Sequence, residues 1–158
     1  ISGQFTYLNP GEWFKRQPAK DGQFPDGWFV VSHHWIVDEN GHGKPERKRL
    51  HRAWCMIKCD NRKIFRAIRF SPVLTCNHKE ATGEIVVDWG GWLALSGFEG
   101  EETRPQCLEI RKANWWEVIW KAGRSHPDPA VRQAAVISLI AGGLGVLSVV
   151  LAIIGLMR

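Results

Sequence analysis

The hydrophobic pattern changes character near the end of the chain. From Ala134 to Met157 there is no charged residue, His, Asn or Gln, and Ser138 and Ser148 carry the only side chains that can hydrogen-bond. As a helix this run would be about 36 Å long, against a hydrocarbon core of about 30 Å. A core helix of a soluble domain keeps a polar face, and this run has none. The pattern predicts one transmembrane helix over 128–158, with Asp128 as its cap and Pro129 at the first helical position. Ala135, Ser138, Gly142, Gly145 and Ala152 form a seam of small side chains at spacings suited to helix packing.

Upstream the pattern is period two, broken by turn residues at Asn9-Pro10-Gly11, Gln17-Pro18, Asp21-Gly22 and Pro25-Asp26-Gly27. Strands are predicted at about 4–8, 28–37, 48–59, 64–70, 73–76 and 107–110. Another, over 85–95, is bent at Gly90-Gly91. Trp13 and Phe14 are expected in the core. In 28–37 the face of Phe29, Val31, Trp35 and Val37 includes His33. A turn at Asn61-Arg62 would set Cys59 opposite Ile64, Cys55 opposite Ile68 and Trp54 opposite Arg69. Cys55, Ile57, Cys59, Ile64 and Ile68 then form a core face, and Trp54 stacks on Arg69 on the other. Residues 38–45 and the acidic stretch 98–105, with Glu99, Glu101 and Glu102, read as loops. A short helix follows over 113–122. The expected fold is mainly β, a small barrel or sandwich over 1–110, then a Trp-rich juxtamembrane segment over 111–127 and the span.

Charge adds orientation. The 158 residues carry 21 Lys and Arg against 16 Asp and Glu. Setting aside Arg132 and Arg158, which flank the span, leaves +3, too mild an excess to argue for nucleic acid. Arg111, Lys112, Lys121, Arg124 and Arg132 precede the apolar run and only Arg158 follows it, which predicts a cytoplasmic N-terminal domain on a tail anchor. Three of the nine Trp, at 115, 116 and 120, stand just before the span; with Arg124 and Arg132 they are expected at the membrane interface.

Candidate chemistry is sparse. Lys44, Arg47, Lys48, Arg49 and Arg52 fall within nine residues of an expected strand edge. They are the candidate site for an anionic ligand, together with His33 and His34, although two adjacent strand residues would point to opposite faces. Cys55 and Cys59 would lie about 13 Å apart on a strand, beyond one metal or a disulfide. Cys76, His78 and Cys107 make only a weak zinc pattern, and Asp88 reads as a turn cap sooner than as a base. No nucleophile, phosphate-loop or dinucleotide motif occurs, so neither catalysis nor a metal or other cofactor is expected. The expectation is an accessory or assembly subunit that packs on other membrane proteins through its helix, with membrane lipid as its surroundings. The alternative is a sensor of a nucleotide or lipid headgroup that self-assembles, in the limit into a pore.

Overall fold

The computed structural model describes residues 1–17, 24–36, 43–97, 104–124 and 126–156. The expected loop tips at 38–42 and 98–103, and the strand end at Val37, lie outside the described residues. Seven strands form one sheet: β1 (Ser2–Tyr7), β2 (Trp28–Ser32), β3 (Trp54–Cys59), β4 (Arg62–Ser71), β5 (Cys76–Asn77), β6 (Thr82–Val87) and β7 (Gln106–Lys112). Their order is β1-β7-β3-β4-β2-β6-β5, and β6 also pairs in parallel with β1. The β2–β4 pair is parallel too, and the remaining five pairs are antiparallel.

Both faces of the central strands are covered. On one side Phe5, Phe29, Val31, Ile57, Ile68, Ile85 and Val87 pack with Trp92 and Leu95. On the other, Val30 and Val86 meet Leu8, Trp13 and Leu74. This is why Trp28–Val31 and Ile85–Val87 read as nearly continuous apolar runs. Trp13 does enter the core, from a short helix α1 (Pro10–Lys15) capped by Asn9, whose Oδ1 accepts from Gly11 N at 2.8 Å.

The β3–β4 hairpin keeps its expected faces with a different register. Cys59 lies opposite Arg62, Ile57 opposite Ile64 and Trp54 opposite Ala67. The turn is Asp60-Asn61, with Asp60 at φ +50°, a left-handed conformation that Asp tolerates. The slip is two residues, so it preserves sidedness. It also removes the expected partner of Trp54: Arg69 instead stacks on Trp28, 3.3 Å from the ring centroid.

Three expected strands are helical in whole or part. Residues 44–50, expected to lead into and begin the strand over 48–59, form helix α2 (Lys44–Leu50), with a proline in its first turn, Glu46 near its N-terminus and basic residues in its last turn, which complements the helix dipole. The expected bend at Gly90-Gly91 is helix α3 (Trp89–Ser96), capped by Asp88, whose Oδ2 accepts from Gly91 N at 2.8 Å. After β2 the chain leaves extended geometry in a 3₁₀ turn over His33–Trp35.

Beyond β7 comes α4 (Trp115–Glu117), which runs on as a π-helical turn over Val118–Ala122. Last is α5 (Pro129–Leu156), a 28-residue helix with no buried residue. Among the described residues it is the one helix long and apolar enough to cross a membrane. Asp128 caps it, its Oδ1 accepting from Ala130 N at 2.8 Å. Two close approaches seat its base. A Cβ on Gly27, at φ +77°, would lie 2.5 Å from Nε2 of His126, and one on Gly123 would lie 2.6 Å from Cβ of Ala135.

Candidate functional site

The second face of the β3–β4 hairpin explains why α4 lies where it does. Met56 and Phe65 point away from the main core and would face water without a cover. Ala113, Trp54 and Val118 supply it. The crossover is fixed by Ala113 N donating to Trp54 O at 2.9 Å. It is also fixed by Glu117, which accepts from Asn114 N at 3.0 Å and takes both Arg111 guanidinium nitrogens at 2.8 and 2.7 Å. Hydrogen bonds from Arg111, then from the Asn114 amide, hold the Glu117 carboxyl down at about 2.

Between this helical segment and the sheet lies an open groove of about 740 Å³. Arg52, Ala53, Trp54, Lys112, Ala113, Asn114, Trp115, Val118 and Ile119 line it. Two features make it electropositive. Arg52 and Lys112 are exposed and take part in no ion pair among the described residues. Arg69 adds to them, while His51 beside it is pushed towards its neutral form. Burial and then the nearby Arg52 lower the Arg69 pKa, and burial, Arg52 and Arg69 lower that of His51. Arg69 Nε is buried with no hydrogen-bond partner. Arg52 itself sits at φ +66°, uncommon for a residue with a Cβ. It is held there by Arg52 N donating to Ile68 O at 2.9 Å and Ala53 N donating to Leu50 O at 2.8 Å.

The basic stretch expected to act as one site is divided. Arg47 turns inward and donates to the carbonyls of Ile36 at 3.0 Å and His33 at 3.3 Å, stitching α2 to the 3₁₀ turn. Arg49 pairs with Glu46 at 2.9 Å, an exposed contact worth little. Lys44 and Lys48 are exposed on α2. Of the five, only Arg52 lines the groove. His33 and His34, expected on opposite faces, have ring centroids 3.9 Å apart, because the 3₁₀ turn abandons strand alternation. Burial, then His33, His78 and Arg47, lower the His34 pKa.

Trp115 and Trp116 stack at 3.7 Å. Trp115 lines the groove, while Trp116 and Trp120 stand exposed outside it. Arg124 and Arg132 are exposed. On α5, Ala135 packs against Gly123, whereas Gly142 and Gly145 have open space around them, and Ser138 Oγ donates to Ala134 O within its own helix. Cys55 and Cys59 are buried free thiols, Cys76 is half-buried and Cys107 exposed. Among the described residues no three His, Cys, Asp or Glu side chains are placed to hold a metal.

Sequence reasoning missed Lys112, Asn114 and Ile119 as members of one groove. The signal was the second apolar face of the hairpin: Met56 and Phe65 need a cover, and the short helix expected over 113–122 offers an apolar segment to supply it. The most telling buried pair was also unseen. Arg66 reaches Asp88 through Nε at 2.6 Å and Nη2 at 3.1 Å, with the two side chains only 4% and 14% exposed.

Comparison with protein-family models, curated proteins and solved structures finds no match to the chain. A functional reading therefore rests on geometry and chemistry alone.

Proposed function

We propose that the chain is a single-pass membrane protein that serves as an accessory or assembly subunit, packing on other membrane proteins through α5. One observation carries this reading. Thirteen large apolar side chains of α5, from Val131 to Leu156, stand exposed. Leaving them in water would cost on the order of 20 kcal/mol, more than the 5–15 kcal/mol by which a domain is stable. Lipid or other helices must cover them. The basic residues that precede the span support a cytoplasmic β domain. The β1–β6 pairing supports a small closed barrel as its form, since closure removes edges that would otherwise recruit strands.

The seam supplies the test. Gly142 and Gly145 have nothing within 4 Å of a Cβ among the described residues, so a side chain there starts in open space. Changing both to Leu should weaken association in bilayers about tenfold or more, since close backbone approach carries much of helix pairing in lipid. Changing Val150 and Ile154 to Leu should leave association intact. Equal effects from the two pairs, or a clean monomer from mild detergent with no co-purifying chain, would refute packing through this seam.

A further inference from the structure

Resting on the membrane-anchored reading, we propose that the groove between β3, β7 and α4 binds the phosphate headgroup of an anionic phospholipid, with Arg52 and Lys112 as its cations. Charge complementarity is the first argument. Neither cation has a carboxylate partner among the described residues, and the nearby Arg69 raises the local positive potential further. Cations crowded without a counter-ion are stabilised by an anion that neutralises more than one of them. A phosphodiester offers oxygens to both at once.

The walls choose the lipid over a free anion. Trp54, Trp115, Val118 and Ile119 are apolar or amphipathic. A soluble phosphate gains nothing from them, whereas the glycerol and upper acyl carbons attached to a lipid phosphate do. Position agrees. Trp115, Val118 and Ile119 belong to the segment that exposes Trp116 and Trp120 and leads through Gly123 to the base of α5. The groove therefore lies next to where the span meets its headgroup layer, the preferred depth of Trp. Its volume of about 740 Å³ falls in the range of about 300–1,000 Å³ of small-molecule sites. Arg52 starts from a left-handed backbone, strain of a kind that gathers at ligand sites.

The full-length chain is first floated with phosphatidylcholine vesicles, and then titrated in detergent with phosphatidylglycerol or phosphatidylcholine while bound lipids are counted by native mass spectrometry. Phosphatidylglycerol should be retained in preference. R52A together with K112A should lose about 30-fold in that affinity, the effect of two surface cations, while K48A with R49A on α2 should lose none. A photoreactive phosphatidylglycerol should label the peptide holding Trp115–Ile119 in the unaltered protein, which needs no variant to fold. Failure to float removes the anchored reading and this site with it. Flotation with equal retention of both lipids, with labelling elsewhere, or with no loss in R52A/K112A removes the lipid site alone. Displacement of phosphatidylglycerol by equal inorganic phosphate would assign the groove to a free anion and overturn the proposal.

Discussion

Asp88→Ala removes two supports at once. The carboxylate caps α3 through Gly91 N and holds the buried Arg66 guanidinium in a two-pronged ion pair. Losing the cap costs about 1 kcal/mol. Removing the Asp88 carboxylate from the buried Arg66, 4% exposed, costs about 3–5 kcal/mol, the scale for breaking a buried ion pair. A total of about 4–6 kcal/mol is a large share of a domain's stability and corresponds to a fall in Tm of roughly 10–20 °C. The assay is a thermal melt of the full chain in detergent, followed by near-ultraviolet circular dichroism, which reports the environment of Trp92 and its stacked neighbour Tyr7. Asp88→Asn keeps a capping oxygen and should recover only the small part. Asp88→Asn combined with Arg66→Met leaves a cap and no stranded charge, and should recover most of the loss. A fall below about 3 °C for Asp88→Ala, or a double variant no better than the single one, would refute this account.

Glu117 has a depressed pKa, so its contribution is present above its ordinary value near 4.5 and is lost as pH falls towards about 2. Hydrogen-exchange protection across α4, taken relative to the intrinsic rate at each pH, should fall over that window, and Glu117→Gln should flatten the fall. Burial pushes the Cys55 thiol up to about 11, so at neutral pH iodoacetamide should label exposed Cys107 first and Cys55 last, read by peptide mass mapping; the reverse order would contradict the packing. Gly27→Ala introduces a Cβ into the His126 ring and a side chain at φ +77°, costing about 1–2 kcal/mol for the backbone alone. Faster proteolysis around residues 123–128 is the expected sign, and unchanged cleavage would count against the contact.

The parts legible in the sequence were those fixed by local pattern. The apolar run and its Asp128-Pro129 start become α5, a helix long and apolar enough to cross a membrane. The hairpin faces survive a register slip because it is even. Where the reading went astray, a tertiary or capping contact had outweighed the local signal. Lys44–Leu50 lacks an apolar face, so its helix was hidden from periodicity. Yet the proline in the first turn, Glu46 and the basic last turn were visible as end signals. Gly90-Gly91 suggested a bend, but a Cβ on Gly91 would lie 3.1 Å from the Asp88 carboxylate oxygens; the glycine is there for the cap. The groove depends on which strand lies beside which. Nothing near Lys112 announces that it will sit opposite Cys55, beside the start of β3.

Seating the base of α5 at Gly123 and Gly27 gives that helix a rotational phase. An α-helix turns about 100° per residue, so with Ala135 held against Gly123 the compass bearing of every later side chain is counted from that contact. A single residue inserted after Leu139 would swing Gly142 and Gly145 about 100° around the axis relative to the sheet. Four would bring them back to within about 40°. Neither change alters hydrophobicity or removes a side chain. The bearing of the small-residue row relative to the sheet is thus set at that one contact.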